Sequence, residues 1–83
     1  GPFLEESMTV IPLSALFSEG NGKQMYVWVV NDNKVNRREV SVMSPTGDAQ
    51  AFITKGLKAG EKIITAGVNQ LVEGERIRVV RSD

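Results

Sequence analysis

The chain has 83 residues, with ten lysines and arginines against ten aspartates and glutamates, no cysteine and no histidine. This length predicts one small domain, and the zero net charge argues against nucleic-acid binding, which relies on attraction to phosphate. Without histidine or cysteine the chain lacks the usual zinc ligands, a thiol nucleophile and a Ser-His-Asp triad. We therefore expect a non-catalytic domain that holds no metal and no cofactor.

The beginning of the chain divides into a lead-in and a first apolar stretch. Gly1-Pro2 is typical of a protease scar, so we expect residues 1–7 to be a flexible lead-in and residues 8–83 to form the domain. Met8–Ile11 is apolar and ends at Pro12, which cannot donate to a sheet ladder. The stretch is therefore suited to the edge of a sheet.

The middle of the chain predicts a hairpin. Gln24–Val30 is β-branched and aromatic with almost no polar break, which indicates a strand buried on both faces. Asn31–Lys34 predicts a turn, because Asn and Asp tolerate left-handed backbone angles. Val35–Met43 predicts the returning strand. Since Val35 and Val40 fall on opposite faces of a regular strand, we expect a one-residue bulge between them.

The rest of the chain alternates short apolar runs with turn residues. Ala49–Lys55 predicts a third strand and Lys62–Ala66 a fourth. Val68–Val72 has the spacing of a single helical turn, and Arg76–Val80 predicts a final strand. With five to six short strands and one short helix, the sequence is mostly β and predicts a small antiparallel β-barrel.

Four glycines in the second half suggest a phosphate-binding loop at first sight. Such a loop needs a helix after the glycines and a Gly-Lys-Ser/Thr sequence, and neither is present. We interpret Gly56, Gly60, Gly67 and Gly74 as turn residues instead. The paired acids Glu73 and Glu75 occupy turn positions, where carboxylates are normally solvated, so they are not candidates for acid–base catalysis.

Aromatic and basic residues leave a nucleic-acid alternative open. Tyr26 and Trp28, with the arginine pair Arg37-Arg38 and a C-terminal arginine set, resemble the elements of a small barrel that binds single-stranded nucleic acid. Ten acidic residues cancel the basic field, so we expect no nucleic-acid partner. Trp28 lies within a run of valines and is expected in the core.

The order of four segments carries more information than any one of them. Val10–Leu16 is similar to "(V/I)-P-x-S-A-L", and Tyr26–Val40 is similar to "V-W-V-V-(turn)-V-x-R-R-x-V". Ile53–Ile64 follows "I-x-x-G-L-x-x-G-(D/E)-x-V-V", and Ala66–Val79 follows "x-G-x-x-x-L-x-x-G-x-x-V-x-V". In this order the segments resemble the periplasmic adaptor subunits, also called membrane fusion proteins, of tripartite efflux pumps.

The resemblance implies a specific place in such a pump. It corresponds to the adaptor's C-terminal membrane-proximal domain, a small β-barrel that docks on an inner-membrane transporter of the resistance–nodulation–division (RND) type. It further implies a periplasmic, inner-membrane-associated location in a Gram-negative bacterium, neighbouring adaptor subunits, and export of drugs or other small molecules. The outer-membrane channel would be reached only through adaptor domains that this chain lacks.

The resemblance also implies that a strand contributed elsewhere in full-length adaptors is missing here. We expect Met8–Ile11 or a neighbouring chain to cover the edge left unpaired. As partner contacts we select Arg37, Arg38 and Lys58, because they are cationic and lie on or near turns. An adaptor domain of a metal-ion or type I secretion exporter is the alternative within the same family.

Overall fold

The computed structural model describes residues 9–20, 22, 24–43 and 49–78. Six strands form one antiparallel sheet that curls into a half-barrel, and two short 3₁₀ helices connect them, at Leu13–Ala15 and Val68–Gln70. Neither helix in this described part has the length and apolar character needed to cross a membrane. The strands are β1 (Thr9–Pro12), β2 (Phe17–Ser18), β3 (Met25–Asn31), β4 (Lys34–Met43), β5 (Gln50–Lys55) and β6 (Lys62–Ile63).

The prediction of a mostly β, small barrel-like domain is confirmed. The sheet order is β1-β5-β4-β3-β2, and β6 also pairs with β3. One edge of β3 pairs with β4, so β2 and β6 share the other edge: Phe17 lies opposite Tyr26, and Ile63 opposite Val29. β3 is thus the strand with the most neighbours.

The central strand is buried on both faces, as the sequence predicts. Val27 and Val29 face the concave side of the sheet, and Trp28 faces the convex side. We call the two resulting groups the inner core and the outer core. The inner core contains Ile11, Ala15, Val27, Val29, Val40, Ala51 and Ile53; the outer core contains Phe17, Trp28, Val35 and Val68.

The predicted hairpin turn is confirmed. Asp32 and Asn33 both have positive φ, at 54° and 62°, and Asn31 pairs with Lys34 across the turn. Two consecutive left-handed residues give the tight turn whose twist matches that of paired strands. The Asn-Asp-Asn sequence therefore sets the register of β3 and β4.

The expected bulge between Val35 and Val40 is wrong. Pairing of β3 with β4 is continuous from Lys34 to Val40. Val35 and Val40 point to opposite faces because each face has its own core: Val35 lies in the outer core and Val40 in the inner core. The register shift occurs further along, between Ser41 and Val42, where Thr54 of β5 is the extra residue.

The C-terminal half is less regular than predicted. The fourth strand is limited to β6, and the helical turn ends at Gln70, leaving the Val72 side chain 65% exposed. In residues 76–78, the described part of the predicted final strand, the structure has an isolated bridge between Arg76 and Lys34. Val79 and Val80 lie outside the described residues, as does Met8 at the other end. β2 was not predicted from the sequence.

The first strand lies at an edge of the sheet. β1 pairs with β5, from Thr9 opposite Ile53 to Pro12 opposite Gln50. Thr9–Ile11, the described part of the stretch expected to cover an edge, is thus paired with β5. Pro12 has no N–H, which suits an edge position.

Candidate functional site

Two of the three selected residues bond to one carboxylate, Arg38 through its side chain and Lys58 through its backbone N–H. Arg38 projects from β4, and its Nη1 donates to the Gly56 carbonyl at 2.9 Å and to Glu61 Oε1 at 3.1 Å. The backbone N–H of Lys58 donates to the same Glu61 oxygen at 2.8 Å. These bonds, the Lys58 N–H first and the Arg38 guanidinium second, hold the pKa of Glu61 below its ordinary value.

The third selected residue lies elsewhere. Because successive side chains of a strand point to opposite faces, Arg37 is on the other side of the sheet from Arg38. Its Nη1 forms an ion pair with Glu19 at 2.5 Å, and its guanidinium carbon lies 5.4 Å from the centre of the Tyr26 ring. The hydrogen bond and charge of Glu19 raise the pKa of Arg37. The three residues therefore form two surfaces.

Glu73 joins the C-terminal residues to β4, and sequence reasoning missed this role. Its Oε2 accepts from Asn36 Nδ2 at 2.5 Å, and its Oε1 accepts from the Arg37 backbone N–H at 2.6 Å. Glu73 was expected to be solvated, because its turn position does not show which strand the turn meets. No pattern in the sequence would have identified it.

Residues 71–78 form what we call the C-terminal strap, which crosses the outer core. Backbone hydrogen bonds attach it to the start of β4 and the preceding turn: Gly74 N to Val35 O at 2.7 Å, Val35 N to Glu75 O at 2.9 Å, and Ile77 N to Asn33 O at 2.7 Å. The Glu75 side chain closes the strap's own turn by accepting from the Val72 N–H at 3.0 Å. The Glu73 carboxylate adds a charged attachment to this backbone ladder.

The hydrogen bonds of Glu73 predict that the stability difference between wild type and a Glu73→Gln variant depends on pH. Its hydrogen bonds with Asn36 and with the Arg37 N–H lower the pKa of Glu73 from 4.5. A carboxyl group whose pKa is lower in the folded state than in the unfolded state stabilises the fold fully above its unfolded-state pKa. This stabilisation is lost as pH falls through its folded-state pKa. We expect Glu73→Gln to be less stable than wild type in urea at pH 7, and the difference to shrink steadily below pH 4.5.

Glu39→Gln is the matched control for this experiment. Glu39 is exposed on β4, the strand that carries the Glu73 partners Asn36 and Arg37. Its carboxylate makes no hydrogen bond with the described residues. Its substitution should leave the free energy of unfolding nearly unchanged at neutral pH. A Glu73→Gln difference that stays constant from pH 7 down to pH 3 would show that the carboxylate's charge plays no part in the attachment.

The four glycines interpreted as turn residues all have positive φ, from 72° at Gly67 to 105° at Gly56. Gly56 also contacts β4 closely: a Cβ atom there would lie 2.5 Å from the Glu39 carbonyl oxygen. At Gly60, Gly67 and Gly74 a Cβ atom would meet nothing within 4 Å. Gly56 therefore sets the position of the loop that carries Lys58.

Trp28 is a core residue, as predicted. Its side chain is 3% exposed, it stacks on Phe17 with ring centres 4.8 Å apart, and its Nε1 donates to the Val68 carbonyl at 2.8 Å. The indole faces are covered by protein, so Trp28 does not offer a stacking surface to a nucleic-acid base.

An open groove lies beside the Arg38–Glu61 pair. It has a volume of about 540 Å³ and lies between the β3–β4 turn and the start of β6. Asn36 and Lys62 contribute to its polar lining together with Arg38 and Glu61. The described residues contain no group of three or more acidic side chains placed to hold a metal ion. What the groove presents is a mixed-charge surface suited to polar contacts.

Comparison with known proteins identifies relatives over nearly the whole chain. Multidrug resistance protein MdtA of Erwinia amylovora is 35% identical over 75 residues, and that of Klebsiella pneumoniae is 38% identical over 78 residues. These matches cover 90% and 92% of this chain but 18% of each relative, so the chain spans less than a fifth of their length.

A solved structure is also similar in sequence. A crystal structure of a protein from Bacteroides eggerthii DSM 20697, described as an efflux transporter, is 62% identical, with 86% of this chain and 22% of that chain covered and a TM-score of 0.39. The family described as "YknX, C-terminal permuted SH3-like domain" matches residues 8–79. This match includes every described strand and the strap, and the chain therefore belongs to the YknX-type C-terminal permuted SH3-like domains.

Proposed function

We propose that this chain is the interaction domain of a multidrug efflux adaptor. The observation that carries the proposal is its similarity to the MdtA proteins, at 35–38% identity over nine tenths of the chain. Within that role, the domain docks on the periplasmic side of an inner-membrane RND transporter and contacts neighbouring adaptor subunits. It acts without catalysis, by holding transporter and adaptor in register during export.

The two networks of charged residues at the surface support a role in binding other proteins. The ionised groups of the described residues lie at the surface, and the core clusters contain apolar side chains. Arg38 and Lys58 belong to one network, centred on Glu61, and Arg37 to another with Glu19. A rigid sheet that presents two fixed polar surfaces can bind two partners at once, which an adaptor requires.

We assign the transporter contact to the Glu61 network. Arg38 is fixed there by two hydrogen bonds, and the groove beside it offers Asn36 and Lys62 for further polar contacts. A guanidinium that is held in place loses little conformational freedom on binding, and arginine is enriched among the residues that dominate interface energetics. Arg37, on the other face, would then contact a neighbouring adaptor.

The experiment is charge reversal in the complete adaptor gene. Arg38→Glu with Lys58→Glu should abolish co-purification with the transporter encoded by the neighbouring gene and abolish drug efflux. Arg37→Glu should leave transporter binding in place and weaken adaptor–adaptor crosslinking. The three substitutions reverse charges that the proposal places at interfaces, and an unpaired buried charge at an interface typically costs about 2–5 kcal/mol.

Lys55→Glu serves as the matched control, because Lys55 is an exposed lysine at the end of β5. It should leave assembly and efflux unchanged. Wild-type assembly and efflux in a variant that combines Arg37→Glu, Arg38→Glu and Lys58→Glu would remove these residues as contacts. Failure of the complete, unmodified adaptor to bind any RND transporter would reject the proposed function itself.

A further inference from the structure

The Arg38 guanidinium keeps hydrogen-bond donors free after it has bonded to its own chain. An arginine side chain carries N–H groups on Nε, Nη1 and Nη2, arranged in a planar fork. Both bonds that fix Arg38, to the Gly56 carbonyl and to Glu61 Oε1, come from Nη1. Nε and Nη2 donate to no acceptor among the described residues, and the side chain is 41% exposed. The free edge of a guanidinium already held in place is therefore available to a partner.

Arg38 lines the open groove described above. It lies opposite Val27 in the pairing of β3 with β4, so its side chain is on the concave side of the sheet. The β3–β4 turn forms one end of the groove, and Lys62 at the start of β6 lines it as well. A group that enters the groove therefore meets the guanidinium.

The surroundings of the guanidinium carry an excess of positive charge. Arg38, Lys58 and Lys62 are grouped around one carboxylate, that of Glu61. This carboxylate already accepts hydrogen bonds from the Arg38 side chain and the Lys58 N–H. The other acidic residue of the groove, Asp32, lies in the β3–β4 turn. The balance of charge beside Arg38 thus favours an anionic group.

The other polar residues of the groove favour a peptide carboxylate over a phosphate. Asn31 and Asn33 line the turn end of the groove, and their amide side chains both donate and accept hydrogen bonds, as a peptide backbone does. Asp32 and Glu61 would repel a phosphate dianion more strongly than a singly charged carboxylate. A guanidinium fork also matches the two oxygens of a carboxylate with two parallel hydrogen bonds. The groove is therefore suited to a peptide segment that carries aspartate or glutamate.

We propose that the groove binds an acidic peptide segment of the transporter, whose carboxylate accepts hydrogen bonds from Nε and Nη2 of Arg38. The proposal rests on the proposed function, which supplies the transporter as partner, and it adds the chemistry by which that partner is recognised. Lys62 adds attraction through its charge, and the asparagines of the turn bond to the backbone of the bound segment.

The test follows the Arg38 Nε–H signal in nuclear magnetic resonance spectra of the whole chain labelled with ¹⁵N. The probe is the peptide acetyl-Ala-Glu-Ala-Glu-Ala-amide at low ionic strength, and the matched control peptide has glutamine in place of glutamate. We expect the signal to shift and to saturate with the glutamate peptide only. Arg37 is an internal control, because it lies on the other face and is already paired with Glu19. Its Nε–H signal should not shift.

Three variants separate the fork from charge alone. Arg38→Lys keeps the charge but removes the fork, so it should bind the glutamate peptide about tenfold more weakly. Lys62→Gln should weaken binding by about two- to fivefold, the effect of one exposed charge. Lys55→Gln, at the end of β5, should bind as wild type does. Unchanged Trp28 fluorescence will show that each variant retains the fold.

Several outcomes would overturn the proposal. Equal shifts with the two peptides, or wild-type affinity in Arg38→Lys, would show that the fork does not recognise a carboxylate. A shift caused by inorganic phosphate and not by the glutamate peptide would overturn it in favour of a phosphate-bearing partner. The titration needs no transporter, so its failure is distinct from failure of the proposed function. Absence of peptide binding, together with loss of co-purification in Arg38→Glu/Lys58→Glu, would reject the acidic segment and keep the transporter contact.

Discussion

Replacing Gly56 with alanine is expected to destabilise the domain by about 3 kcal/mol or more, because a left-handed backbone and a backbone clash coincide there. Gly56 has a φ of 105°, a conformation that residues with a Cβ atom rarely adopt. An added Cβ would lie 2.5 Å from the Glu39 carbonyl oxygen and 3.0 Å from the Val40 Cα. Both neighbours are backbone atoms of β4, so they cannot move without disturbing the strand.

Gly60→Ala is the control that separates these two effects. Gly60 has a φ of 87°, but a Cβ atom there would meet nothing within 4 Å. It should cost about 1 kcal/mol, from backbone strain alone. Urea unfolding followed by Trp28 fluorescence gives both free energies. Equal losses in the two variants would mean that the approach of Gly56 to β4 is not tight.

Trp28→Ala is expected to lower the free energy of unfolding by about 4 kcal/mol, which is within the usual range for removing a buried aromatic side chain. The indole is 3% exposed and stacks on Phe17. Small domains have total stabilities of about 5–15 kcal/mol, toward the lower end for a chain of this size. The variant should therefore retain only about 1 kcal/mol of stability and unfold at much lower urea concentrations than wild type. Circular dichroism measures this unfolding, since the substitution removes the only tryptophan.

Two further variants identify the source of this loss. Trp28→Phe keeps most of the packing but leaves the Val68 carbonyl without its donor, which should cost about 1–3 kcal/mol. Tyr26→Phe removes only a hydroxyl that donates to Gln24 at the surface, and it should be close to neutral. A Trp28→Ala protein that unfolds at the same urea concentration as wild type would show that the outer core contributes little to stability.

The fold was largely predictable where local sequence determines it. The run from Met25 to Val30 can only be a buried strand, and Asp32-Asn33 can turn tightly because both tolerate positive φ. The bulge prediction failed for a physical reason. It assumed that one face of β4 is buried, whereas the strap buries Val35 on the second face. Which segment covers a face depends on contacts distant in sequence.

The candidate site was predictable only in part, for the same reason. Cationic residues near turns are visible in the sequence, but the meeting of Arg38 with Lys58 at Glu61 requires β4 to lie beside the loop after β5. The alternation of side chains along a strand would have placed Arg37 and Arg38 on opposite faces of the sheet. The Glu73 attachment could not be foreseen, because it depends on where the strap crosses Asn36.

The position of the strap has a consequence for how the chain folds as it is synthesised. Trp28 bonds to a carbonyl 40 residues further on, and Ser14 to one 51 residues further on. Until residues 68–77 have left the ribosome, the indole stacks on Phe17 but lacks the cover of Val68 and the strap. Contacts so distant in sequence slow folding, commonly to milliseconds or longer. A nascent chain stalled before Val68 should therefore expose Trp28 and bind chaperones that recognise apolar surfaces, whereas the completed chain should release them.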